Sequence, residues 1–157
     1  MTKECIQQFT LRISQANSTE LVVILYEMLL AYLEEAKEAQ EKEDQTAVRE
    51  IIRKCRGCIN ELSQSLHPEY QIVQNLQKLY FYCLRELVHA QAGDSQALDR
   101  IRNVMTPLKD AYSKVAAQNP AGPVFANSQK VVAGLTYGRN TLTEDVTDQG
   151  ANRGMRV

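Results

Sequence analysis

Apolar residues recur along this chain at helical intervals. Leu21, Leu25, Met28, Tyr32 and Ala36 fall at spacings of 4, 3, 4 and 4, one stripe of a 3.6-residue helix over about 19–40. Asn17, with Glu20 three positions on, has the spacing of an N-cap and capping box for that helix. A second stripe, Val48, Ile52, Cys55, Ile59, Leu62 and Leu66, predicts a helix over about 45–66 behind Asp44 as cap. A third, Ile72, Leu76, Leu79, Cys83 and Leu87, opens at Pro68 and stops at Gly93. The fourth, Leu98, Ile101, Met105, Leu108, Tyr112 and Val115, covers about 95–118, and Pro107 inside it predicts a kink near 103–107. Connections this short make neighbours antiparallel, so the pattern reads as an all-α, up-down-up-down four-helix bundle over residues 17–118. Residues 1–16 form an N-terminal arm with apolar points at Ile6, Phe9, Leu11 and Ile13. Residues 119–157, which open with Pro120, Gly122 and Pro123, read as a flexible C-terminal tail.

Composition narrows the function classes. The 157 residues include only 7 Gly and 4 Pro, which suits long helices better than many strands and turns. Lys and Arg number 18 against 19 Asp and Glu, a net charge of -1 that argues against a sequence-independent nucleic-acid binder. The most apolar stretch, Leu21–Leu33, holds Glu27 and is shorter than the roughly 20 residues of a membrane span. The N-terminus has no apolar signal core, so a cytoplasmic location is expected, with Cys5, Cys55, Cys58 and Cys83 as thiols.

Motifs with catalytic or metal spacing resolve into structural readings. Cys55-x-x-Cys58 lies mid-helix with Cys55 on the core stripe, so both are read as core cysteines rather than a redox pair or zinc site. Glu86-x-x-His89 has the spacing of a di-iron bundle but occurs once, and is read as a solvated helix face. His89 also raises a histidine phosphotransfer bundle as a rival, without the Lys such a site would place just after it. Arg49, Arg53, Lys54 and Arg56 are expected to pair across a hairpin with Glu34, Glu35, Glu38 and Glu41. No nucleophile–base arrangement or phosphate loop is present, so the chain is read as a non-enzyme without cofactor or metal.

Surplus apolar surface carries the functional signal. Val22, Tyr26, Leu29 and Leu33 sit beside the first core stripe. Val73, Tyr80, Leu84 and Val88 form a second stripe on the third helix, with Phe81 and Tyr82 pointing elsewhere. Such an excess suits a groove for an amphipathic partner helix. Val22, Tyr26, Leu29, Val73, Tyr80, Phe81, Tyr82 and Leu84 are the residues expected to line it.

These residues also resemble the FliS family of flagellar secretion chaperones. Asn17-Ser18-Thr19-Glu20-Leu21-Val22-Val23-Ile24-Leu25-Tyr26-Glu27 is similar to that family's opening helix. Leu79-Tyr80-x-Tyr82-x-x-Arg85-x-Leu87 resembles its third-helix signature, and Asp110-Ala111-Tyr112 its motif near the end of the fourth. The resemblance implies a cytoplasmic chaperone that binds the disordered C-terminal segment of flagellin, prevents early polymerisation and delivers it to the flagellar type III export gate. The rival readings are a helical adaptor for a folded partner and the phosphotransfer bundle. A homodimer stays open. Ile6, Phe9, Leu11 and Ile13, or the tail residues around Val124–Tyr137, are expected to fold back as a lid near Tyr26 or Phe81. Phe81 occupies a position usually polar in the family, which a cover would make easier to tolerate.

Overall fold

The computed structural model describes residues 1–67 and 72–118. It is helical in five elements: α1 (Lys3–Gln15), α2 (Ser18–Glu41), α3 (Gln45–Gln64), α4 (Ile72–Gln91) and α5 (Ala97–Gln118). Pro68, the expected first residue of the third helix, and the whole 119–157 tail lie outside the described residues. The four long helices are those the periodicity predicts. The arm is a further helix rather than an irregular lead-in: the Thr2 side chain accepts from the Cys5 N–H and caps α1.

Local chemistry sets the helix ends. The Asn17 side chain accepts from the Glu20 N–H at 2.8 Å, and the Glu20 carboxylate accepts from the Asn17 N–H at 3.1 Å, a closed capping box. Asp44 caps α3 by accepting from the Ala47 N–H. Helix α2 stops in a Schellman turn: the Asp44 N–H donates to the Ala39 carbonyl and the Glu43 N–H to the Gln40 carbonyl. Glu43 is left-handed there at φ 55°, a conformation that favours glycine. Helix α4 ends the same way, with Gly93 at φ 104°. Helix α5 runs unbroken through Pro107.

Helices α2, α3, α4 and α5 pack as a ring around one core, each touching the next and α2 closing against α5. Pairs along the α2–α5 seam run in opposite senses. Lys37 donates to Asp99 at 2.9 Å, Glu34 pairs with Arg102, and the Tyr26 and Tyr112 rings lie 5.5 Å apart. Helix α1 packs against α2, tied by Arg12 to Glu27 and by the Met1 amino group to Glu35 at 2.7 Å. Among the described residues no helix is long and apolar enough to cross a membrane.

The core corrects the stripe assigned to α4. Val73, Leu76, Tyr80, Cys83 and Leu87 are buried, whereas Ile72 is 64 % and Leu79 37 % exposed. The buried set is spaced 3, 4, 3 and 4, the regular seam of a bundle helix. Burying Tyr80 requires a partner for its hydroxyl, and it finds one in the hydroxyl of Tyr26. On α2 the residues beside the predicted stripe are also enclosed: Val23, Ile24, Tyr26, Leu29 and Leu33 are all buried. A helix apolar over most of its circumference needs neighbours on more than one side, and α1, α3 and α5 all pack on it. Cys55, Cys58 and Cys83 are buried in the same core, as the helical phase of Cys55 suggested.

Burial disfavours the charged forms of these groups. It raises the Tyr26 and Tyr32 hydroxyls, pushes Tyr80 up to about 12, and pushes the Cys58 and Cys83 thiols up to about 12. An acid whose folded pKa lies above its unfolded value favours folding below the unfolded pKa and loses that contribution above it. Stability should therefore be flat up to the unfolded thiol value of 9.0, then fall between there and about pH 12, measured as the urea midpoint across alkaline buffers. The hydroxyl pair gives a second test. Tyr26→Phe or Tyr80→Phe alone should cost about 1–3 kcal/mol by stranding a buried hydroxyl. The double Phe variant should cost less than the sum of the two, read as a double-mutant cycle in urea.

Candidate functional site

The predicted groove residues fall into two groups. Tyr26, Leu29, Val73 and Tyr80 are inside the bundle, so they form core rather than open surface in this conformation. Val22, Tyr82 and Leu84 are half-buried and rest against the core, and Phe81 is 64 % exposed. The predicted lid also divides. Ile13 is buried, Phe9 and Ile6 are half-buried, and Leu11 is exposed. Helix α1 lies on α2, and Phe81, on α4, is left uncovered by it.

The open apolar surface lies between α3 and α4. A groove of about 610 Å³ is lined by Phe81, Leu84 and Val88, with Arg56, Asn60, Lys78 and Arg85 around them. Phe81 and Val88 are seven residues apart on α4, two turns of one face, and both are more than half exposed. The sequence reading had Phe81 and Leu84 but assigned Val88 to a stripe with Val73, and it did not bring Arg56 and Asn60 of α3 to the same place. The signal was available in the row Arg49, Arg53, Arg56 and Asn60, spaced 4, 3 and 4 on one face of α3.

The charges also pair differently from expectation. Glu34 is bound to Arg102 of α5 and Glu35 to the Met1 amino group, not to α3. Among the described residues no ion pair joins the α2 acids to Arg49, Arg53, Lys54 or Arg56. Lys54 instead stands over the Tyr32 ring, 5.5 Å from its centroid. The physical reason is that α2 turns its acidic end toward α5 and α1.

Glu86 is not on a solvated face, as the motif reading had it. It is buried and accepts from Arg100 Nε at 2.6 Å, with His89 Nδ1 at 3.3 Å. The same guanidinium binds Asp94, whose carboxyl it holds below the usual range. Glu86, His89 and Asp94 come close enough together to suggest a cation site. Arg100 already sits between the two carboxylates as their cation, so the cluster is a clamp across the α4–α5 turn.

Fold and surface together define a small helical bundle with a short helix laid on one side and an apolar groove on another. The family model described as "Flagellar protein FliS" matches residues 1–119, and the chain belongs to that family. It is 26% identical over 103 residues to the flagellar secretion chaperone FliS of Bacillus subtilis (strain 168), covering 65% of this chain and 77% of that protein. It is 28% identical over 108 residues to the flagellar secretion chaperone FliSB of Pseudomonas aeruginosa, covering 67% and 86%.

The exposure of Phe81 sets it apart from its neighbours in cost. Phe81→Ser should leave stability within about 0.5 kcal/mol in urea unfolding, the range of ordinary surface changes. Leu87→Ala, further along the same helix but buried, should cost about 2–5 kcal/mol.

Proposed function

We propose that this protein is a flagellar export chaperone that binds the C-terminal segment of flagellin, keeps it from polymerising, and hands it to the export gate in the cytoplasm. The observation that carries the reading is the uncovered apolar face of α4. Phe81 and Val88 are more than half exposed on one face of α4 with Leu84 beside them, while Ile72 and Leu79 are exposed on the other flank of the helix, in a chain whose curated relatives are named secretion chaperones. A disordered segment that folds against such a face gains apolar burial at the cost of its own ordering, which favours a large wrapped contact over a small one.

Helix α1 supports a second part of the proposal. It packs chiefly on α2, it carries the exposed Leu11, and Phe9 is only half-buried. In this reading Ile6, Phe9 and Ile13, with Leu11 at the outer edge, cover the side of α2 that carries Glu27 and Glu35, and a partner helix displaces them. Displacement would open α2 around Ile24 and Met28, whereas Val22 and Leu29 fall on the opposite side of the helix with Tyr26, which meets Tyr80 of α4. Phe81, Tyr82 and Leu84 would serve the other side, and Val73 would stay in the core beneath it.

Calorimetry with a flagellin C-terminal fragment should show binding tighter than about 100 μM, with a negative heat-capacity change from apolar burial. Phe81→Ser should weaken it by about 1–3 kcal/mol if the residue is a central contact. Deleting residues 1–13 should strengthen it, because the competing cover is gone. No binding by the intact chain rejects the proposal. Unchanged affinity on deletion, with Phe9→Ala equally silent, rejects the cover.

A further inference from the structure

The groove between α3 and α4 has a charge that the bundle does not use. Arg56, Lys78 and Arg85 are exposed, stand around Phe81, Leu84 and Val88, and enter no ion pair among the described residues. Other bases are held by acids, Lys37 by Asp99, Arg100 by Glu86 and Asp94, and Arg102 by Glu34, whereas Arg49 and Arg53, further along the same row of α3, also enter no ion pair among the described residues. On a chain of net charge -1, three unpaired cations around one apolar strip are a local feature rather than an overall basic excess.

We infer that this groove seats an amphipathic helix of a protein partner whose apolar side is edged by acidic residues, and that Arg56, Lys78 and Arg85 select for those acids. The apolar strip fixes the form of the occupant. Phe81, Leu84 and Val88 recur at 3 and 4, so the floor repeats with the period of a helix laid along it. From Lys78 to Val88 the groove runs ten residues of α4, about 15 Å, matching nearly three turns of a partner. The cations fix the edge. Carboxylates placed beside the apolar face of the incoming helix would meet guanidinium groups at the margin, where opposite charge steers encounter and rejects basic segments. A phosphate backbone would use the cations but leave three adjacent apolar side chains without a partner, so the peptide is favoured over nucleic acid.

The inference deepens the chaperone reading and rests on it for the source of the helix, but its test does not need flagellin. The probes are two synthetic helix-forming peptides with the same Leu stripe, one flanked by Glu and the other by Lys. The protein is the full chain, observed by methyl and amide NMR during titration. The Glu peptide should shift the signals of Phe81, Leu84 and Val88. It should bind at least about tenfold more tightly than the Lys peptide, and weaken severalfold when ionic strength rises from about 0.05 to about 0.5 M. Arg56→Gln with Arg85→Gln should cut Glu-peptide binding about tenfold at an unchanged melting temperature. The conservative pair Arg56→Lys and Arg85→Lys should retain most of it.

Equal binding of both peptides, shifts elsewhere, or indifference to the Gln variants overturns the inference, whatever flagellin does. So does an RNA oligonucleotide that shifts the same signals at lower concentration than the Glu peptide. If Glu144→Gln, Asp145→Asn and Asp148→Asn together shift the groove signals without any peptide, the occupant is the chain's own acidic segment, and the partner assignment falls. Flagellin fragment that binds with no sensitivity to Arg56 or Arg85 keeps the chaperone reading and rejects this one. A Glu peptide that binds as described while flagellin does not has the opposite meaning.

Discussion

The middle of helix α2 is buried around most of its circumference, and the architecture follows from the need to enclose it. Val23, Ile24, Leu25, Tyr26, Met28, Leu29, Tyr32 and Leu33 are all buried, a run that leaves the strip of Glu27, Glu34 and Glu38 polar. Two neighbours in a four-helix ring, α3 and α5, cannot cover a full turn of side chains. The remaining face is closed by α1, which is held at both ends by ionic ties to Glu27 and Glu35. The fifth helix is therefore part of the solution to a burial problem, and also the element with the smallest stake in the ring. The displaceable cover proposed for α1 rests on this peripheral position.

The same constraint accounts for the tyrosines. Three of the largest fully buried side chains are Tyr26, Tyr32 and Tyr80, an unusual load of hydroxyls for an apolar interior. Tyr26 and Tyr80 satisfy each other across α2 and α4, which fixes the relative height of two helices that are not adjacent in sequence. Because an unpaired buried hydroxyl is costly, the pair tolerates little sliding between α2 and α4. The groove on the outer side of α4 is positioned by that register: Phe81 and Leu84 follow Tyr80 and Cys83 by one residue each, on the adjacent face.

The helices and most of their ends were legible because they depend on local chemistry. The Asn17–Glu20 box, Asp44 and Gly93 all do in the structure what their residue types favour. The turn at Glu43 was not signalled, since nothing in a glutamate announces a left-handed residue; the Schellman hydrogen bonds impose it. Choosing between the two apolar rows of α4 was beyond periodicity alone. Both rows repeat at near-helical intervals, and the choice turns on a hydroxyl 54 positions away. Burial of Val73 and Tyr80 was missed for that reason, and that of Tyr26 and Leu29 because α2 is enclosed by more neighbours than a single stripe implies, whereas Phe81 was correctly marked as out of phase with the core.

Charge was the least legible property. The acids of α2 and the bases of α3 suggest a neutralised hairpin when read along the chain, because sequence proximity stands in for spatial proximity. In the bundle α2 spends its carboxylates on α5 and on the amino terminus, and Lys54 turns to the ring of Tyr32. That leaves Arg49, Arg53 and Arg56 of α3 without an ion pair among the described residues, and Arg56 stands next to the apolar strip of Phe81, Leu84 and Val88. A cation beside water costs little and holds little, so fold stability gives no reason for Arg56 and Arg85 to stand where they do. Their placement gains consequence only when the strip is covered: a helix laid on Phe81, Leu84 and Val88 would strip water from the margin and make the sign of its flanking charges matter.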